Sequence, residues 1–282
     1  MTRIIRVHDP ADPEIEPYLK VRDRDAHGRD GRPGLFIGES PMVIEAMLCE
    51  RIVVRSILAS ERHAERAAAM IASSSVARAG IPEPTVLLAD DPVLDAVVGF
   101  NIHRGFLAVA ERPPERAVRD VVPPLGADAA LLVVEECNNI DNIGQLFRNA
   151  AALGCSAVVL SPTCHDPLYR KSVRVSCGGV LRVPFARSSD WEADLEWLRG
   201  PAGVMLVGAT GAGECTLAEA AAVVQALRPR RWAVVVGAEY SGLSEQALAA
   251  CHLRARIPMA AGMDSLNLGV ASGVFLARLQ EG

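Results

Sequence analysis

Beyond residue 127 the chain alternates between short, nearly unbroken apolar runs and stretches in which apolar residues recur at helical spacing. Ala130 to Glu135, Ala157 to Leu160, Val180 to Val183, Val204 to Gly208 and Trp232 to Gly237 are runs of the first kind. A strand that is apolar on both faces is covered on both faces, so these runs predict a parallel sheet between helices. Ile143, Leu146, Phe147, Ala150 and Leu153 fall at i, i+3, i+4, i+7 and i+10, an amphipathic helix closed by Gly154. A last helix runs from about Leu268 to Gln280.

The first half carries shorter elements. Leu35-Phe36-Ile37, Val53 to Ala59, Val86 to Ala89 and Gly105 to Ala110 are strand candidates; Pro41 to Cys49 and Ala64 to Ser73 are helix candidates. Their alternation predicts a small α/β sandwich. Between the halves, Glu111 to Gly126 holds four prolines and alternating charge, a composition that suits a connector. The expected division is a domain over 1–112, a linker over 113–126 and a second domain over 127–282.

Half of the 282 residues are hydrophobic but only 4% are aromatic, so the core is expected to be built from Ala, Val and Leu. No apolar run is long enough to cross a bilayer, and the first residues have no signal-peptide apolar region. The expected location is the cytoplasm, without membrane contact. The seven cysteines are odd in number, widely spaced and without a Cys-x-x-Cys, which speaks against a disulfide framework and a structural zinc site.

The net charge of −5 does not advertise a nucleic-acid binder, but arginine is clustered. Clusters stand at Arg22, Arg24, Arg29 and Arg32; at Arg112, Arg116 and Arg119; and at Arg228, Arg230 and Arg231. These are expected to be solvated loop charge. Arg170, Lys171 and Arg174 differ in having no acidic neighbour after Asp166, and they are the candidates for phosphate contact.

Three polar loops stand where an apolar strand hands over to a helix. The first is Asn138 to Ala150, with Asn142 as an expected N-cap and Arg148 inside the helix. The second is Val234 to Ser244, where Gly237 and Gly242 allow a tight backbone and Ser244 is placed to cap a helix. The third is Ile257-Pro-Met-Ala-Ala-Gly-Met-Asp-Ser-Leu-Asn-Leu-Gly-Val-Ala271, which presents backbone donors and the neutral side chains of Ser265 and Asn267 at one turn. Two further stretches invite other chemistry. Cys164-His165-Asp166 suggests a nucleophile with its base, yet adjacent residues rarely face one another. Val207 to Gly213 suggests a dinucleotide loop, yet its glycines are in the wrong order and Arg228 to Arg231 occupy the region of the required acid.

In order and spacing, the three loops resemble the signatures of the SpoU (TrmH-type) RNA ribose 2'-O-methyltransferases of the SPOUT superfamily. Asn142, Gly144 and Arg148 match Asn-x-Gly-x-x-x-Arg, with Asn139-Ile140 in place of the commoner Asp-Pro. Ser176 and Gly178 match a Ser-x-Gly segment, and Asn101 to Phe106 resembles the end of the L30e-like domain that precedes many such enzymes. The resemblance implies an α/β fold with a parallel sheet and a trefoil knot in the C-terminal domain, preceded by a small L30e-like RNA-binding domain. It implies methyl transfer from S-adenosylmethionine to a ribose 2'-hydroxyl of rRNA or tRNA, with no metal. Arg148 would lie beside the ribose and its phosphate, with Asn142, Glu239, Ser265 and Asn267 as the other catalytic candidates. Gly237, Ile257, Met259 and Leu266 would hold the cofactor, with Thr210 contributing. A homodimer through the C-terminal domain is implied as well. Two other classes stay open on the residues alone: an idle RNA-binding member of the fold, and a nucleotide-dependent oxidoreductase using the Gly208 loop.

Overall fold

The computed structural model describes residues 2–20, 33–50, 52–74, 80–98, 105–263 and 265–281. The first arginine cluster and residues 101–104 of the Asn101 segment lie outside the described residues. The chain divides into two compact units, residues 1–114 with 168–181, and residues 115–167 with 182–282. No helix among the described residues is long and apolar enough to cross a membrane.

The first unit is built on a five-stranded mixed sheet. Its elements are β1 (Ile4–Val7), α1 (Glu16–Lys20), β2 (Leu35–Glu39), α2 (Pro41–Cys49), β3 (Val54–Ser60), α3 (Ala64–Ser73), β4 (Thr85–Ala89), α4 (Asp91–Val98) and β5 (Phe106–Glu111). The strand order is β1-β4-β3-β5-β2, with β5 antiparallel to both neighbours and the other pairs parallel. One face buries Val7, Ile37, Leu58, Leu87, Leu107 and Val109 against Tyr18, Val93 and Leu94 from the helices.

The second unit holds α5 (Val118–Val121), β6 (Ala129–Val134), α6 (Ile140–Ala152) and β7 (Ala157–Leu160). The chain then forms α7 (Arg170–Val175), which belongs to the first unit, and α8 (Gly179–Arg182). It returns through β8 (Phe185–Arg187), α9 (Trp191–Arg199), β9 (Met205–Ala209), β10 (Cys215–Thr216), α10 (Leu217–Gln225), β11 (Arg231–Val236), α11 (Glu245–Ala250), β12 (Leu253–Arg256) and α12 (Leu268–Gln280). All seven strands are parallel, in the order β10-β12-β9-β11-β6-β7-β8. Every residue of β6, β7 and β11 is buried, as the apolar runs require. One core gathers Leu131, Val133, Val159, Leu206, Ala233 and Val235 with Leu195 and Leu198 of α9 and Ala247 of α11. Each fully buried Val or Leu contributes roughly 1.5–3 kcal/mol.

Four expectations need correction. Val118, Val121 and Val122, inside the expected linker, are buried in that same core. A spacer of that composition needs no buried side chains; this one has three, and its backbone carbonyls are tied to Arg231. Val180 to Val183 is not a strand: the helix α8 covers most of it, and a four-residue apolar run is equally compatible with either state. The helix α6 starts at Ile140, and its N-cap is Asn139, whose side chain accepts from the amides of Asp141 and Asn142. The side chain of Asn142 is therefore free for another task. The Arg228 to Arg231 cluster is not all solvated charge: Arg231 is 3% exposed, and Arg228 turns back onto the carbonyls of Gln225 and Leu227.

Candidate functional site

In a parallel sheet the strands' carboxyl ends open where their following loops splay apart, and ligands gather there. In the second unit the ends of β9, β11 and β12, three neighbours in the sheet, surround a cavity of about 480 Å³. Ala209, Thr210 and Gly211 reach it from β9; Gly237, Ala238, Glu239, Tyr240 and Gly242 from the loop after β11; Ile257 and Met259 from the loop after β12. Ser265, Leu266 and Asn267 close it at the start of α12, with Leu268, Ala271 and Phe275 behind them. The volume falls in the range of pockets that take small molecules. The wall mixes backbone groups, apolar side chains and neutral hydrogen-bonding groups, with Glu239 as the one carboxylate among the described residues that line it.

The loop after β11 is folded back on itself. Ala238 N–H donates to the Gly242 carbonyl at 3.1 Å and Gly242 N–H to the Ala238 carbonyl at 2.9 Å. Gly242 takes φ +69°, and a β-carbon on Gly237 would lie 2.2 Å from the Gly242 carbonyl oxygen. Ser244 then caps α11, accepting from Ala247 N–H, as its position after the loop predicts.

One side chain joins the three sequence loops. Asn142 is 1% exposed. Its Nδ2 donates to Oε1 of Glu239, and its Oδ1 accepts from Nδ2 of Asn267 at 3.0 Å. Asn267 in turn caps α12 through Oδ1, which accepts from Val270 N–H at 3.3 Å. A primary amide suits this place because it donates to a carboxylate at one end and accepts from another amide at the other. Asn149, one turn of α6 beyond Gln145, donates to the Gly269 carbonyl at 2.6 Å and to Ser272 Oγ at 3.0 Å, which locks α6 to α12.

The structure thus brings Thr210, Gly237, Glu239, Ile257, Met259, Ser265, Leu266 and Asn267 to one cavity, with Asn142 behind its wall. Arg148 is not in that lining. It is exposed on α6, in a shallow groove with Gln145, Asn149, Val270, Gly273 and Val274. Arg170, Lys171 and Arg174 are not in the lining either. They sit on α7 in the first unit, where Glu39 of β2, only 12% exposed, pairs with Arg170 at 3.3 Å and Arg174 at 3.2 Å. The expectation that this cluster lacks an acidic partner held only for its sequence neighbours. Asp264 lies outside the described residues.

Two alternative chemistries find little support. Cys164 Sγ faces the Val134 carbonyl at 3.3 Å and Ser161 Oγ at 3.5 Å, while His165 Nδ1 meets the Asp166 backbone carbonyl. Burial pushes the thiols of Cys137, Cys155 and Cys251 up to about 12, which keeps them protonated and unreactive at neutral pH. After the Gly208 loop the chain enters the short strand β10 before α10 begins, so no helix N-terminus opens directly behind those glycines as a dinucleotide site requires.

The chain is similar to several known proteins. The SpoU rRNA Methylase family matches residues 129–277. An uncharacterized tRNA/rRNA methyltransferase of Mycobacterium bovis is 38% identical over 98% of this chain and 92% of its own length. A 23S rRNA (guanosine-2'-O-)-methyltransferase of Vibrio vulnificus is 30% identical over 64% of this chain and 71% of its own. Among solved structures, an AdoMet-bound rRNA methyltransferase of Sinorhizobium meliloti superposes with a TM-score of 0.77 over 98% of this chain and 97% of its own, at 22% identity.

Proposed function

The chain belongs to the SpoU rRNA methylase family, and from that footing we propose that it methylates a ribose 2'-hydroxyl of rRNA or tRNA with S-adenosylmethionine. The observation that carries this reading is the Asn142 bridge, which ties Glu239 and Asn267 into the wall of a single small-molecule cavity. The cavity fits the cofactor in kind: a largely neutral, partly apolar wall with exposed backbone suits a nucleoside carrying an amino-acid tail. Gly237, Ile257, Met259 and Leu266 would hold it, with Thr210 at the rim. When bound, the cofactor supplies an electrophilic methyl group on a sulfonium, so the protein's own share of the work is positioning and proton removal.

In this reading Arg148 meets the target phosphate or the developing alkoxide. Its planar guanidinium assists deprotonation by stabilising the negative charge that forms, and the 2'-hydroxyl proton passes to water. Asn142 fixes the Glu239 carboxylate, and Ser265 and Asn267 orient the ribose or the cofactor loop. The first unit, L30e-like in this proposal, recognises RNA shape. Arg170, Lys171 and Arg174 contribute positive charge there only as far as Glu39 leaves it uncompensated. We place the enzyme in the cytoplasm, with a trefoil knot in its C-terminal chain. Its dimer face runs along α6 and α12, where Val270 is 52% and Val274 40% exposed beside Gly273. Light scattering is expected to give a particle of twice 30.0 kDa, and Val274→Glu to shift it to the monomer.

The test of the activity is methyl transfer from radiolabelled S-adenosylmethionine to rRNA and to tRNA, separately, followed by alkaline hydrolysis. A 2'-O-methyl group removes the nucleophile that alkali needs, so label is expected in alkali-resistant dinucleotides from one RNA pool. Label released in mononucleotides would place the methyl on a base and overturn the ribose reading. No label together with no cofactor binding by calorimetry would overturn the methyltransferase reading itself.

A further inference from the structure

Glu135 is the first residue after β6, and it is 4% exposed. A carboxylate in such a place is costly unless donors surround it. Three do. Trp191 Nε1 donates to Oε1 at 2.8 Å, Ser244 Oγ to Oε1 at 2.7 Å, and the Ser244 backbone N–H to Oε2 at 2.8 Å. The main chain of Glu135 adds a fourth tie: its N–H donates to the Val236 carbonyl at 2.8 Å.

Val236 and Ser244 are the two stems of the loop that forms the β11 wall of the cavity. Glu135 therefore holds the incoming stem with its backbone and the outgoing stem with its side chain. Between the stems, the loop is braced by the Ala238–Gly242 bridge and by the contact of Glu239 with Asn142. A slip at Ser244 would pass straight into Gly242 and Glu239, because Leu243, the only residue between Gly242 and Ser244, is itself buried.

We infer that Glu135 is a positioning residue: it pins both stems of the 237–243 loop and so sets the shape of the cofactor cavity. This rests on the proposed methyltransferase reading. Glu135 is not among the described residues that line the cavity; it acts through Ser244. Trp191 shares Oε1 with Ser244 but belongs to α9 and not to the loop, and separates loop pinning from general support of a buried acid.

The test uses the full chain and calorimetry with S-adenosylmethionine. Glu135→Gln keeps the shape but turns an amide N–H toward a Ser244 donor. It is expected to raise Kd at least about 10-fold, with kcat at saturating cofactor and RNA falling less. Ser244→Ala keeps the backbone bond to Oε2 and is expected to raise Kd by about 3-fold. Trp191→Phe is expected to lower the melting temperature with Kd changed less than about 2-fold. Hydrogen exchange at the Ala238 and Gly242 amides gives a readout that needs no ligand, and Glu135→Gln should speed it while Trp191→Phe does not. Wild-type Kd and unchanged exchange in Glu135→Gln would overturn the inference, as would equal losses in Glu135→Gln and Trp191→Phe. A wild type that binds no cofactor while Glu135→Gln still loosens the two amides would overturn the activity and leave the pinning role standing.

Discussion

Gly237→Ala is expected to abolish cofactor binding and methyl transfer, by about 100-fold or more, while leaving a folded protein. The added β-carbon would lie 2.2 Å from the Gly242 carbonyl oxygen, 2.3 Å from its carbon and 2.5 Å from the Leu243 nitrogen. All three are backbone atoms, so no rotamer change relieves the clash. The loop itself has to move by roughly 1 Å, a displacement that typically costs about two orders of magnitude when it falls on a binding wall. The same movement breaks the Ala238–Gly242 bridge and pulls Glu239 from Asn142. Gly203→Ala is the control for stability alone. It forces a left-handed residue at φ +62° in the same unit, at about 1–2 kcal/mol, with no cavity atom nearby. Calorimetry with S-adenosylmethionine and circular dichroism on both variants decide the matter. If Gly237→Ala binds within about 3-fold of wild type, the cavity at β11 is not the cofactor site.

Much of the second unit was legible in sequence because burial on both faces leaves an unmistakable trace. The bounds of β7 and α12 coincide with their apolar patterns, and β6 and β11 shift by one residue; in the first unit the bounds of α2 and α3 coincide as well. The cavity's lining was legible for a related reason: residues that end a buried strand and turn toward a helix must converge at the sheet's edge. What the chain did not disclose locally is which polar side chain answers which. Asn142 passes for a cap because asparagine caps helices, and only the fold reveals that Asn139 takes that place. Its real partners stand 97 and 125 residues away. Glu39, 131 and 135 residues before the arginines it pairs with, was likewise invisible from the Arg170 cluster. Glu135 left one signal, an acid set directly after six buried apolar residues, but nothing in the sequence points it at Ser244. Arg231 was misjudged because charge clustered beside a proline usually faces water.

That arginine carries the largest stability effect expected for a single side chain here. Its guanidinium is buried at the start of the central strand β11 and donates to four carbonyls: Nε to Ala202 at 3.0 Å, Nη1 to Pro124 at 2.9 Å and Ala127 at 2.6 Å, and Nη2 to Pro123 at 2.9 Å. It thereby fastens the 123–127 segment, and with it α5, to the sheet. Arg231→Met fills similar space but strands those carbonyls without donors. The expected loss is about 3–5 kcal/mol, since hydrogen bonds from a charged donor are worth about 1.5–3 kcal/mol each and are not fully additive. Arg231→Lys retains a charge but offers three donors on a flexible stem in place of a planar fork, and about half the loss is expected. Trp191, Trp197 and Trp232, the chain's three tryptophans, all lie in the second unit, so fluorescence in urea follows that unit alone. A loss below about 1 kcal/mol would mean that water replaces the guanidinium at little cost, and that α5 is held by Val118, Val121 and Val122 instead.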